Sequence, residues 1–176
     1  GDGPENPYGA SKYMPESMHG VWSKLYGVDT VCLRYFNVYS PDQQADGPYA
    51  TAVANWMQFI RDGKTPFITG DGEQRRDMAH KMDIVSANLF CMEYPTAFGG
   101  QWFDVGTSDN ISLNEMKQLV KEHFANIDFK YVAPRDGEVL CTKADIGPLK
   151  KLGWSPCHDI KEGVSECFRL LKEEVS

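Results

Sequence analysis

Apolar and polar positions along the chain alternate between two periods. Met14, Met18, Val21 and Leu25 recur at helical spacing, with Trp22 and Tyr26 alongside, and Gly27 ends the run. Pro7 suits a first helical position, whereas Pro15 inside the run removes a backbone bond and predicts a kink, at a cost of about 3 kcal/mol if unrelieved. Thr30 to Val38 is rich in β-branched and aromatic residues and reads as a buried strand. Ala52, Val53, Trp56, Phe59 and Ile60 predict a second amphipathic helix closed by Gly63. A short strand over Thr65–Thr69 then enters the turn Gly70-Asp-Gly72.

Further on, Asp83 is placed to cap a helix reaching Tyr94, with a buried stripe of Val85, Leu89 and Met92. Gln101–Val105 reads as a strand. Ser112-Leu-Asn-Glu115 is a capping box, with Ile111 and Met116 as its hydrophobic staple, ahead of a helix burying Leu119, Val120 and Phe124. Phe129–Val132 is a strand. A last helix opens at Asp159-Ile-Lys-Glu162 and packs through Ile160, Val164, Cys167, Phe168 and Leu171. Strands alternating with helices predict an α/β fold.

Composition narrows the classes. The chain has 176 residues, 41% hydrophobic and 24% charged, with a net charge of −7. An acidic balance argues against nucleic-acid binding, which needs clustered Lys and Arg. A phosphate-bearing small ligand stays open, because one or two Arg suffice locally. No apolar run reaches the ~18–20 residues of a membrane span, and the first ten residues carry neither a basic start nor an apolar stretch. Cys32, Cys91, Cys141, Cys157 and Cys167 are odd in number and lack metal-ligand spacing, as expected for reduced thiols in a cytoplasmic protein.

The chemistry concentrates in Tyr8-Gly-Ala-Ser-Lys12. Residues four apart share one helical face, so an ammonium can approach the phenol. A free tyrosine titrates near about 10, and a neighbouring cation lowers that value and makes it a usable base. The spacing alone also fits an ordinary surface pair.

The surrounding motifs carry more. Asn6-Pro-Tyr-Gly-Ala-Ser-Lys12 with Glu16 resembles the active-site helix of extended short-chain dehydrogenases, as does Leu33-Arg-Tyr-Phe-Asn-Val-Tyr39-Ser-Pro41, where the family usually has Gly at the position of Ser40. Gly70-Asp-Gly-Glu-Gln-Arg-Arg-Asp77 is similar to the segment that brings an arginine to a substrate diphosphate. Val105-Gly-Thr107 with Ile111-Ser-Leu113, then Pro134–Glu138, Ala144-Asp145 and Leu152–Pro156, complete the resemblance. The chain most resembles the UDP-glucose 4-epimerase-like branch of NAD-dependent nucleotide-sugar epimerases and dehydratases.

That resemblance implies a C-terminal remnant of a doubly wound Rossmann sheet (residues 1–48) and a small mixed α/β substrate-binding domain (residues 49–176). It implies Tyr8 as acid/base, Lys12 tuning it and holding the nicotinamide ribose of NAD, and Phe36 beside the nicotinamide. Asn37 is implied at the sugar-nucleotide phosphates, with Arg76 and Arg135 clamping the diphosphate and Arg75 an alternative to Arg76. Thr69 stands where the family often has an aromatic ring, and Gly147-Pro148 predicts a late start to the following helix. Only seven residues precede Tyr8, so the glycine-rich pyrophosphate loop and the assisting Ser or Thr are expected to be missing.

The expected activity is sugar-hydroxyl oxidation and re-reduction, with little turnover by this chain alone. The alternative is a non-catalytic nucleotide-sugar-binding or partner-complementing module. The expected partners are a nucleotide-sugar substrate and a second copy, or a complementing N-terminal half. His80 reads as structural, and His19, His123 and His158 as surface groups. The four tryptophans read as core or interface. Asp71 and Asp77 read as a turn residue and a structural hydrogen-bond acceptor.

Overall fold

A computed structural model describes residues 7–45, 47, 50–134 and 137–176, with Tyr8 described by its backbone only. Helix α1 (Pro7–Tyr26) runs through Pro15 and ends at Gly27, whose φ of 66° needs a residue without Cβ. The expected strand at 30–38 is split into β1 (Val31–Tyr35) and β2 (Asn37–Tyr39). At the break, the Phe36 N–H still donates to the Val105 carbonyl at 3.0 Å.

Helix α2 (Ala52–Arg61) is capped by Thr51, whose side chain accepts from the Ala54 N–H. Strands β3 (Phe67–Thr69), β4 (Arg75–Arg76) and β5 (Met78–His80) lead into helix α3 (Lys81–Glu93). Strand β6 (Gln101–Val105), strand β7 (Ile111–Ser112), helix α4 (Leu113–His123) and strand β8 (Lys130–Val132) follow. Helices α5 (Gly147–Leu152) and α6 (Ile160–Val175) close the chain.

Three pairings are parallel: β1 with β6, β2 with β5, and β3 with β8. The fourth, β4 with β7, is antiparallel. Mixed α/β architecture is therefore as the pattern predicts. The capping box forms: the Glu115 N–H donates to Ser112 Oγ at 3.1 Å, and the Ser112 N–H to Glu115 Oε2 at 2.9 Å. Its staple residues Ile111 and Met116 are both buried.

Two apolar clusters form. One gathers Tyr39, Val53, Trp56, Met57, Ile68 and Met78 against α4 and α6. The other packs Val31, Leu33 and Phe36 with Phe103, Val105, Ala87, Leu149 and Trp154. Strand β6 pairs with β1, so the second cluster draws on residues from both sides of position 48.

Several expectations are corrected. Asp83 does not cap α3; the His80 ring accepts from the Met82 N–H instead, and Asp83 is buried inside the first turn. The stripe Val85, Leu89 and Met92 is exposed, and the buried face of α3 is Asp83, Ala87 and Cys91. These small side chains let α3 lie close against the second cluster, which bulkier ones would hold off. The apolar stripe of α1 is likewise outward: Met14, Met18, Val21 and Leu25 are all exposed, while Glu16, His19, Gly20 and Ser23 are half-buried. Helix α5 starts at Gly147 itself, because Pro148 in the first turn needs no N–H partner. His158 is not a scattered surface group; its Nδ1 lies 2.9 Å from Asp83 Oδ1.

Helix α1 is stitched to the turn before β6 at closest range where two glycines meet. A Cβ on Gly100 would lie 2.5 Å from the Gly20 Cα. Thr30 Oγ1 donates to the His19 carbonyl, and the Gly100 N–H to the Thr30 carbonyl.

Candidate functional site

Strands β2, β4 and β5 set the site. Asn37, the first residue of β2, pairs with Met78 of β5, and its side-chain amide donates to the Asp77 carbonyl at 3.0 Å. Arg75 and Arg76 are consecutive in β4, and alternation sends their side chains to opposite faces. Arg75 is engaged elsewhere: its Nε donates to Asn110 Oδ1 at 2.6 Å, and its guanidinium pairs with Glu115 at 2.7 Å. Arg76 faces a cavity of about 270 Å³, with Asn37, Trp56, Thr69, Gln74 and Glu138 also on its wall.

The cavity mixes a cation, an anion, amides and aromatic surface. The Arg76 guanidinium lies 3.6 Å from Glu138 Oε1. Burial pulls the Arg76 pKa below the ordinary arginine value, with Glu138 opposing the shift. Gln74 is buried and donates to the Thr69 carbonyl at 2.8 Å and the Thr69 hydroxyl at 2.9 Å. The Trp56 indole N–H donates to the Phe67 carbonyl at 2.9 Å, and Trp56 also lines the cavity. The segment carrying Glu138 is tied down by the backbone of β4, where the Arg75 N–H donates to the Leu140 carbonyl and the Thr142 N–H to that of Arg75.

Asp77 holds the neighbouring turn. Its buried carboxylate accepts from the Thr107 N–H and hydroxyl, the Ser108 N–H and the Ala144 N–H, at 2.8 to 3.0 Å. Ser108 thereby sits at φ 60°, alone among the described non-glycine residues in having positive φ. Asp71 accepts from the Glu73 N–H in a turn. Both aspartates thus have the structural roles read from the sequence.

The remaining sequence candidates divide. Asn37 and Arg76 share one cavity. Phe36 packs with the second apolar cluster and does not line that cavity. Lys12 is exposed on α1, one helical turn after Tyr8. The Tyr8 side chain and Arg135 lie outside the described residues. Gln74 and Glu138 are cavity residues that no sequence expectation singles out, although both sit inside the motif blocks that carry the resemblance.

The family model described as "NAD dependent epimerase/dehydratase family" matches residues 2–106. The chain belongs to this family. A UDP-N-acetylglucosamine 4-epimerase from Methanobrevibacter ruminantium M1, solved with UDP-N-acetylmuramic acid, matches at TM-score 0.86 and 31% identity, over 97% of this chain and 55% of that one. A UDP-glucose 4-epimerase from Thermotoga maritima with UDP-glucose matches at TM-score 0.86 and 32% identity, over 97% and 54%. The Thermus thermophilus UDP-glucose 4-epimerase in complex with NAD matches at TM-score 0.80 and 27% identity, over 98% and 54%. The chain spans about half the length of the curated relatives it matches. As an epimerase/dehydratase family member, it shares the α/β fold of these structures over nearly its whole length.

Proposed function

We propose that the chain supplies the substrate side of an NAD-dependent nucleotide-sugar epimerase or dehydratase. Residues 1–48 carry the acid/base helix, and residues 49–176 carry most of the substrate site. The supporting observation is that Asn37 and Arg76, far apart in sequence, meet on one cavity wall. A guanidinium fork and an amide suit diphosphate oxygens. Trp56 offers apolar surface, and Thr69, Gln74 and Glu138 offer hydrogen-bonding partners. Arg135 is the second diphosphate cation in this reading, and UDP-sugars bound by the relatives support the substrate class.

Tyr8 takes and returns the sugar-hydroxyl proton, with Lys12, four residues on in the same helix, as the cation that tunes it. Lys12 and Phe36 serve the nicotinamide end of NAD. Among the described residues, no glycine-rich turn leads from a strand into a helix N-terminus, so they offer no pyrophosphate cradle. When bound, NAD supplies the hydride exchange; the residues here bind, orient and move a proton.

A partner-complementing role is the second reading, favoured by the exposed stripe of α1 and by exposed Met82, Val85, Leu89 and Met92 on α3. A second copy or a complementing N-terminal half would cover them. No described helix is long and apolar enough to cross a membrane, and all five cysteines are unpaired, which supports a reducing, cytoplasmic setting.

The test is calorimetry of the 176-residue polypeptide with UDP. Micromolar binding is expected. Arg76→Ala should weaken it roughly 10- to 100-fold, the effect of about 1.5–3 kcal/mol from a charged hydrogen bond. Arg75→Ala should change it by less than about threefold, as expected of a group that does not touch the ligand. Absence of binding, or equal losses from both variants, overturns the reading. With NAD+ and UDP-glucose the polypeptide alone should form no product; steady turnover would show that these residues suffice for the cofactor.

A further inference from the structure

Away from the Arg76 cavity, three donors of different chemistry converge. Asp83 Oδ1, from the first turn of α3, lies 2.9 Å from His158 Nδ1 and 3.2 Å from Cys157 Sγ. The thiol and the imidazole nitrogen are themselves 3.4 Å apart. We propose that Asp83, Cys157 and His158 form a binding site for one borderline divalent ion of the Zn2+ class.

The donor set suits that ion. A thiolate, an imidazole nitrogen and a carboxylate oxygen are the ligand types that Zn2+ takes, at about 2.0–2.3 Å. Such bonds in a tetrahedron place ligand atoms roughly 3.3–3.7 Å apart, so each edge of the present triangle opens by only a few tenths of an ångström. The anchor is rigid, since Asp83 is fully buried and the backbone N–H groups of Cys157 and His158 donate to its two oxygens at 3.0 and 3.4 Å. Ligating carboxylates are commonly fixed by just such outer hydrogen bonds.

The opposite side is open. Cys157 is exposed and His158 half-exposed, on a cleft of about 360 Å³ that also includes Ile146 and Lys150. Water can take the fourth position there. The His80 ring lies 4.1 Å from the His158 ring, centroid to centroid, and restricts its rotation. The two backbone donors tie the 155–159 segment to Asp83, and the thiol and the imidazole bring two further ligand atoms to the same carboxylate. On binding, the thiol becomes a thiolate and releases one proton, and the imidazole carries its proton on Nε2. No electron transfer is involved.

The experiment is titration with Co2+ as a spectroscopic stand-in, followed by competition with Zn2+. One equivalent should produce a thiolate-to-cobalt charge-transfer band, release about one proton per ion from the thiol, and be displaced by Zn2+. Cys157→Ser should abolish the band. His158→Ala should weaken binding at least about tenfold, the scale of losing one element of a metal site. Exposed Cys141 provides the control, and Cys141→Ser should leave the band unchanged. Thermal melts establish that each variant is folded; Cys157→Ser, at an exposed position, is expected to fold. No band at saturating Co2+, a band unchanged in Cys157→Ser, or a band lost in Cys141→Ser overturns the proposal.

Discussion

At the residue scale, the site depends on groups that never enter the cavity. Asp77 is the clearest. Its carboxylate receives three backbone N–H groups and one hydroxyl, and a Cβ on Gly106 would meet its oxygen at 2.9 Å. Asp77→Ala takes this acceptor from three backbone donors, the Ala144 N–H among them buried, and should destabilise the fold by roughly 2–4 kcal/mol, readable as a lowered urea midpoint. A loss below about 0.5 kcal/mol would mean that the turn repacks, as ordinary surface sites allow. The two arginines show what sequence could and could not settle. Their adjacency in a strand dictates that only one faces the cavity, but which one depends on Asn110 and Glu115, about 35 and 40 residues away along the chain.

At the element scale, signals that reside in neighbouring residues are legible in the sequence. The box at Ser112 and Glu115, the cap at Asp159 and the stop at Gly27 all form. The buried face of a helix whose apolar residues lie on several sides is not legible. In α3, Val85, Leu89 and Met92 make as regular a stripe as Asp83, Ala87 and Cys91, and the choice falls to the smaller set because a neighbouring layer approaches closely. The same applies to α1. Replacing Met18 and Leu25 with Glu should dissociate any homodimer built on that face, seen as a halved mass in sedimentation equilibrium with little change in the melting temperature. An unchanged oligomer would place the contact elsewhere.

Glu115 gives a pH test at this scale. The Ser112 N–H, with Arg75 and Lys161 beside it, holds its carboxyl below the ordinary glutamate value. A depressed folded pKa stabilises above the unfolded value of about 4.3, and that contribution disappears as pH falls through the folded value. Glu115→Gln should therefore melt below the parent at pH 7, and the difference should close as pH falls below 4. A constant gap across that range would assign the cap to geometry rather than charge.

At the scale of the whole molecule, the two apolar clusters divide the work. One supports the β2–β5 pair that presents Asn37, and the other seats β1 against β6. The family and the α/β plan were legible because the motif blocks are spread across the chain. The Asp83–Cys157–His158 grouping was not, because Asp83 lies about 75 residues before the adjacent Cys157 and His158.

The meeting of Gly20 and Gly100 has a mechanical consequence. Nothing but hydrogen separates the middle of α1 from the turn beneath it, so that point acts as a fulcrum for a helix whose far end holds Tyr8 and Lys12. A single methyl at Gly100 would have to lift the rod, and over three turns a small tilt there becomes a large displacement of the helix start.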